Sequence, residues 1–160
     1  MLRWLFIGRA STAPKLLAAC LAIAVARSAA AADARGITVQ VVVEGTPRVL
    51  GEPFLLEIAL NNLLQNAMKY SPGGGEVRLS VRRERETAVV SVSDHGIGIP
   101  TGDLERIFER FYRVDRARAR DTGGTGLGLS IVRHVVQAHG GDVTVSSREG
   151  EGSVFSLTLP

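Results

Sequence analysis

The stretch PFLLEIALNNLLQNAMKYSPGGG, running from Pro53 to Gly75, decides the fold. Leu56, Leu60, Leu63, Leu64 and Ala67 recur at helical spacing, so a helix from Pro53 to about Tyr70 has one apolar face that must be buried. Pro53 suits its first turn, where a backbone N–H has no partner in any case. Ser71-Pro72 and the three glycines after them stop it. A second stripe lies on a flank away from the leucines: Asn62, Asn66 and Lys69, spaced i, i+4, i+7. Asparagine is a poor residue inside a helix, because its amide competes for backbone hydrogen bonds. Amide oxygens and an ammonium on one stripe could serve a hard cation and a phosphate. Taken alone, the stripe is better explained as a solvated polar flank.

Working outward, Ile37 to Val43 is β-branched and reads as a strand, followed by a turn at Gly45-Thr46-Pro47 and a short apolar piece at Val49 and Leu50. Beyond the helix, Val77, Leu79 and Val81 alternate with Arg78, Ser80 and Arg82, which predicts a strand with one wet face. Ala88 to Ser93 is its hairpin partner across Glu84 to Thr87. After the loop Asp94 to Pro100 come a short helix around Leu104 to Phe108 and an arginine-rich segment. A longer helix from Leu127 to about Ala138 is expected to pack through Leu127, Ile131, Val135 and Ala138, and to end at Gly140-Gly141. Val143 to Ser147 and Val154 to Leu159 form a second hairpin. The expected fold class is α/β (α+β): a two-layer sandwich, its mixed, mostly antiparallel sheet carrying helices on one face.

The 160 residues allow one domain with a real core, and 45% hydrophobic against 22% charged residues exclude a disordered chain. Net charge is only +3, but arginines cluster between Arg106 and Arg120, where they could meet phosphate or an acidic partner. Cys20 is the single cysteine, which excludes an internal disulfide and a cysteine-built zinc site; packing is its expected role. Arg3 and Arg9, an apolar run from Leu16 to Ala26 and the small residues Ser28 to Ala32 resemble a secretory leader. The run is shorter than the roughly 20 residues that span a bilayer. We favour the other reading, an alanine-rich helix, because Arg27 interrupts the tail. The expected division is therefore a helical lead-in, residues 1–35, before a domain at 36–160.

Two further groups carry chemistry. Asp94 ends the row Ala88, Val90, Val92 on one strand face, so its carboxylate is partly buried and needs donors, for which an adenine amine is a candidate. Gly96 and Gly98 would let backbone approach a flat ring, although Asp-x-Gly-x-Gly also occurs in ordinary turns. Gly123-Gly124-Thr125-Gly126-Leu127-Gly128 opens a helix, where backbone N–H groups and the helix dipole favour an anion. It is not a P-loop, which would end in Gly-Lys-Ser/Thr, nor the dinucleotide fingerprint, since Leu129 stands at its last glycine position.

In this order the motifs resemble the GHKL ATPases, which share the Bergerat ATP-binding fold, and specifically the ATP-binding domain of sensor histidine kinases. Asn62-Asn-Leu-Leu-Gln-Asn66-Ala-Met-Lys69-Tyr70-Ser-Pro looks like their N box and Asp94-His-Gly-Ile-Gly-Ile-Pro100 like their first glycine box. Ile107-Phe-Glu-Arg-Phe-Tyr-Arg113 looks like the F box, and Gly124-Thr-Gly-Leu-Gly-Leu-Ser-Ile131 like the second glycine box. The resemblance covers roughly Ile37 to Pro160, and Glu109 to Gly128 looks closest to kinases of the phosphate-sensing type.

The resemblance implies that ATP is bound through Asn62, Asn66, Lys69, Tyr70, Asp94, Gly96, Gly98, Ile99, Arg113, Gly124, Thr125, Gly126, Leu127 and Gly128. Asn66 would hold magnesium, Lys69 and Arg113 the phosphates and Asp94 the adenine amine, under a lid from about Thr101 to Gly124. Family members that hydrolyse ATP with water, and the anti-sigma serine kinases, carry a glutamate base where Asn62 stands, and an amide takes no proton from water. The phosphoacceptor histidine of a two-component kinase is followed by an acidic residue; His95, His134 and His139 do not fit that pattern. The implied partners are a phosphoacceptor domain and, through it, a response regulator, with no nucleic acid. The implied location is cytoplasmic, with a membrane-anchored parent kinase. The alternatives are a free-standing serine kinase of the anti-sigma type and a non-catalytic, ATP-dependent regulatory module.

Overall fold

The computed structural model describes residues 15–45, 47–114 and 124–160. In chain order these form β1 (Lys15–Leu16), α1 (Leu17–Ala34), β2 (Thr38–Val43), β3 (Arg48–Val49) and α2 (Pro53–Tyr70). There follow β4 (Glu76–Glu84), β5 (Thr87–Asp94), two 3₁₀ turns, α3 (Gly128–Ala138), β6 (Asp142–Arg148) and β7 (Gly152–Leu159). Five strands make one sheet in the order β2-β4-β5-β7-β6. β2 runs parallel to β4 and the other pairings are antiparallel. β1 and β3 form a separate two-stranded ribbon.

One face of the sheet is the floor of the core. The register stacks its inward side chains in cross-strand rows: Leu79, Val92, Phe155 and Val145, then Val81, Val90, Leu157 and Val143. On the other side of the Leu79 row lies the row Val77, Asp94, Ser153 and Ser147, so the apolar floor turns polar at that end. α2 lies over the floor with Leu56, Ala59, Leu60, Leu63, Leu64, Ala67 and Met68 buried, which is the face expected from its periodicity, extended by two residues. α1 packs along α2 through Leu17, Cys20, Leu21, Ala24 and Ala32, all in the same core. Buried Ser28 sits in that seam, its Oγ 3.4 Å from Asn61 Oδ1. No helix among the described residues is long and apolar enough to cross a membrane.

Two expectations need correction. α3 turns Val132, Val135 and Val136 inward and leaves Ile131 38% exposed, with Ala138 also exposed. The helix is apolar along two stripes that share Val135, and periodicity alone does not choose between them. The sheet and α2 select the valine stripe. The segment expected as a helix around Leu104 to Phe108 is instead a pair of 3₁₀ turns, Thr101–Asp103 and Arg106–Phe108. With Glu109 already extended (ψ 145°) beyond buried Ile107 and Phe108, the segment is too short to nucleate an α-helix. The first fourteen residues, Thr46 and the arginine-rich part at 115–123, which includes Gly123 and the later part of the expected lid, lie outside the described residues.

The inward stripe of α3 is testable. Val136→Ala should cost about 2 kcal/mol of unfolding free energy, from lost burial and a cavity. Ile131→Ala should change it by less than about 0.5 kcal/mol. Urea denaturation of both variants would reverse this assignment if Ile131→Ala proved the costlier.

Candidate functional site

The three sequence groups converge at one end of α2. The polar flank of the helix faces the glycine-rich start of α3. A Cβ placed on Gly128 would lie 2.8 Å from Asn62 Oδ1, and one on Gly124 would lie 2.9 Å from Lys69 Nζ. Two glycines of the α3 loop are thus in close approach to two members of the asparagine–lysine stripe. Asn62 donates its Nδ2 to Ile58 O at 2.8 Å, which fixes the amide and turns Oδ1 toward the loop. Asn66 lies one turn further on, half-buried, and its amide makes no hydrogen bond to any described residue.

Lys69 shares its corner with Arg113, which donates Nη1 to Gly124 O at 2.7 Å. Burial lowers the pKa of the Lys69 ammonium, and the positive charge of Arg113 lowers it further. Two cationic side chains thus meet at Gly124, just ahead of a helix N-terminus, a grouping whose chemistry suits a polyanion. The F-box loop is locked to the same place. Phe111 N–H donates to Gly126 O at 2.9 Å, and Phe111 itself holds a positive φ of 65° with its ring 71% exposed. Behind it, Tyr112 OH donates to Asp103, Arg106 stacks 4.3 Å from the Tyr112 ring centroid, and Phe108 meets Phe155 edge-on at 6.3 Å.

Asp94, whose loop meets the end of α2, is only 8% exposed. Its Oδ1 accepts from Gly96 N–H at 2.8 Å, and the Ser153 amide also donates to the carboxylate. Burial raises the Asp94 pKa; those two amides and nearby His95 oppose the rise without cancelling it. Gly96 cannot carry a side chain, since its Cβ would sit 2.5 Å from Tyr70 O. Ile97 N–H donates to that same Tyr70 carbonyl at 3.2 Å, tying the loop to the end of α2. On its far side the loop is bound to the β6–β7 turn by Gly150 N–H to Ile97 O at 2.7 Å and to the end of β6 by Ile99 N–H to Ser147 Oγ at 2.8 Å. Gly98 adopts φ +69°, a conformation that L side chains rarely accept.

Most sequence candidates therefore gather around α2: the Asp94 loop meets its last turn at Tyr70, the loop from Gly124 to Gly128 with Arg113 meets its polar flank at Lys69 and Asn62, and Asn66 lies on that flank between those two. Tyr70 is 39% exposed, its ring centroid 5.3 Å from Lys69 Nζ. Ile99 contributes chiefly through its backbone and packs against the core. Thr125 is exposed and Leu127 is the residue before α3, its carbonyl accepting from Ser130 Oγ at 2.8 Å. Sequence reading missed Ser153 as a donor to Asp94, and Arg35, which reaches the end of α2 from the α1–β2 turn. Only the Arg-Gly pair at a helix end hinted at the second.

Among the described residues no group of three or more histidine, cysteine, aspartate or glutamate side chains could hold a metal. What the site offers a divalent cation among the described residues is amide oxygen from the asparagine stripe, Asn66 among them. That matches an ion such as magnesium, which keeps most of its waters and takes its remaining oxygens from phosphate.

The family profile described as "Histidine kinase-, DNA gyrase B-, and HSP90-like ATPase" matches residues 51–160. The chain is 47% identical over 137 residues to the sensor-like histidine kinase SenX3 of Mycolicibacterium smegmatis, covering 86% of this chain and 36% of that protein. It is 55% identical over 103 residues to the sensor histidine kinase WalK of Bacillus subtilis, covering 63% of this chain and 17% of that protein. Among solved structures, the mycobacterial sensor histidine kinase MprB superposes with a TM-score of 0.81 at 30% identity, covering 94% of this chain and 97% of the other. The catalytic domain of histidine kinase ThkA does so with a TM-score of 0.81 at 26% identity, covering 94% and 95%. The chain belongs to this histidine kinase-, gyrase- and HSP90-like ATPase family, and it spans about a third or less of the length of these curated relatives.

The buried carboxylate gives a pH signature. A raised native pKa means that the folded state binds this proton more tightly than the unfolded state. The Asp94 contribution to stability therefore falls as pH rises from the ordinary carboxylate range toward the raised value. Urea unfolding at a series of pH values should show the wild type losing stability relative to Asp94→Asn as pH rises toward neutrality. A flat or opposite difference would remove the burial argument.

Proposed function

We propose that the chain binds Mg-ATP at this site and presents the γ-phosphate to a histidine of a separate phosphoacceptor domain, as the nucleotide-holding half of a two-component kinase. The observation that carries the reading is the meeting of Lys69 and Arg113 at Gly124, where the N-terminus of α3 opens, with buried Asp94 in the loop bonded to the Tyr70 carbonyl at the end of α2. A nucleotide has this polarity: a base with an exocyclic amine at one end and a polyanion at the other.

In this reading Asp94 accepts a hydrogen bond from the adenine amine, which suits a carboxylate already desolvated and short of donors. Gly96, Gly98 and Ile99 shape the wall beside the base, and Tyr70 covers its edge. Asn62 lines the phosphate end, while Lys69, Arg113 and the loop Gly124, Thr125, Gly126, Leu127 and Gly128 hold the phosphate chain. Asn66 gives its amide oxygen to magnesium, which when bound neutralises charge between the phosphates. Because phosphoryl transfer is catalysed mostly by positioning and electrostatics, a rigid nucleotide holder is a complete contribution from this side.

The nucleophile comes from elsewhere. His139 has both ring nitrogens engaged, Nδ1 with Val135 O at 2.7 Å and Nε2 accepting from Glu52 N–H at 3.1 Å. His134 and His95 are exposed, on α3 and in the Asp94 loop, and neither is followed by an acidic residue. Asn62, with its amide bonded to Ile58 O, supplies no proton acceptor for an attacking water. The partner domain, and the response regulator beyond it, belong to this proposal, as does a cytoplasmic site of action under a membrane-anchored parent kinase.

Calorimetric titration with Mg-ATP should show binding that weakens at least about tenfold in Asn66→Ala and in Asp94→Ala, the loss expected from removing a metal ligand or a charged hydrogen bond. Unchanged affinity in both would overturn the site. Radiolabelled ATP alone should leave no acid-labile phosphate on the chain, whereas adding a phosphoacceptor hairpin from a related kinase should label the hairpin. Label on the chain's own histidines would contradict the need for an outside nucleophile.

A further inference from the structure

We propose that Arg35, outside all four sequence motifs, is a positioning residue for the nucleotide site, acting through the C-terminal turn of α2. Its guanidinium forks over that turn, Nη1 donating to Lys69 O at 2.9 Å and Nη2 to Ser71 O at 2.8 Å. Between these two carbonyls lies Tyr70 O, which accepts the N–H of Ile97 from the Asp94 loop. Three consecutive carbonyls at the end of α2 are thus satisfied from outside the helix, two of them by Arg35. Ser71 closes the turn from within, its N–H and Oγ both reaching Ala67 O.

The arginine is itself held. Ile37 N–H donates to Ala32 O and Gly36 N–H to Asp33 O, the paired bonds of a Schellman ending, with Gly36 at φ +62° and Arg35 as the last residue of the α1 turn. Arg35 O accepts from Gly74 N–H at 2.9 Å, and Thr38 N–H donates to Gly75 O, so the α1–β2 turn is bonded to the turn after α2. A planar fork on a fixed backbone is the geometry in which arginine differs from lysine. It also places a cation on the negative end of a helix.

Lys69 Nζ lies against Gly124, and Tyr70 O is the contact that excludes a side chain at Gly96. Both the phosphate end and the base end of the site are therefore referenced to the peptide units that Arg35 grips. Loss of the fork frees the last turn of α2, letting Lys69 leave its corner and loosening the Ile97 bond that sets the wall beside Asp94. Arg35 contacts no part of the proposed nucleotide, so it is not a catalytic residue. The proposal rests on the nucleotide reading above for its functional half and on hydrogen bonding alone for its structural half.

The test compares wild type, Arg35→Ala and Arg35→Lys well below their melting temperatures. Mg-ATP affinity should fall about five- to tenfold in Arg35→Ala, less than a directly bonded group would lose, and only part should return in Arg35→Lys, which makes one of the two bonds. Amide exchange without nucleotide should speed up at Ile97 by about tenfold or more in Arg35→Ala, with Leu157 in the sheet centre unchanged. Wild-type affinity with unchanged Ile97 exchange in Arg35→Ala overturns the proposal. So does exchange that rises equally at Ile97 and Leu157, since that marks general destabilisation. A wild-type chain that takes up no Mg-ATP overturns the nucleotide reading and the functional half with it, while Ile97 exchange still decides whether the fork holds the loop.

Discussion

Turning α2 by one residue about its axis, roughly 100°, would carry Asn62 and Asn66 toward the space now filled by Leu63 and Ala67. Each leucine exposed by such a rotation gives up about 1.5–3 kcal/mol of burial, and each asparagine buried adds a desolvation cost of its own. The helix therefore has one rotational setting, determined by sheet, α1 and α3 together. That setting leaves the asparagine–lysine flank facing the start of α3. The ability of the site to gather Asn62, Lys69 and the glycine loop follows from where the leucines must go.

The sheet imposes the second condition. Its inner rows are apolar until the row of Val77, Asp94, Ser153 and Ser147, where the floor becomes a hydrogen-bonded strip. Ser147 Oγ serves three neighbours there, taking the Ile99 N–H, reaching Gly152 O and lying 2.8 Å from Ser153 Oγ. The strip fastens the loop after Asp94 to the β6–β7 turn. The carboxylate is thereby kept at the core's edge with few donors of its own. A charge held short of hydrogen bonds is poor for stability and apt for binding a ligand that brings a donor.

The helix α2, both hairpins and the carboxylate at the end of an apolar row were legible because each is written in a short-range pattern: 3.6-residue spacing, strict alternation, or a glycine-bounded turn. The inward stripe of α3 was not, because two stripes of that helix are equally apolar and only long-range packing chooses between them. Arg35 was invisible for a related reason. Its partners are carbonyls 34 and 36 residues away, and backbone acceptors leave no trace in side-chain identity. His139 shows both limits at once. Its place at a helix end could be read from Gly140-Gly141, but its bond to Glu52 N–H, 87 residues distant, could not.

That bond bears on how the proposed chemistry is divided. Glu52 has no capping side-chain bond at the start of α2, and its N–H is taken instead by the imidazole from the end of α3. With Nδ1 on the Val135 carbonyl, Nε2 is the ring atom left to accept, so the arrangement requires the neutral ring with its proton on Nδ1. An imidazole used in this way joins the outer ends of the two helices whose other ends frame the glycine loop. Phosphorylation of either nitrogen would break a bond that holds those helices together. A nucleotide holder built on α2 and α3 is better served by keeping this imidazole structural and receiving its nucleophile from a mobile partner, which can approach, accept phosphate and leave without disturbing the frame.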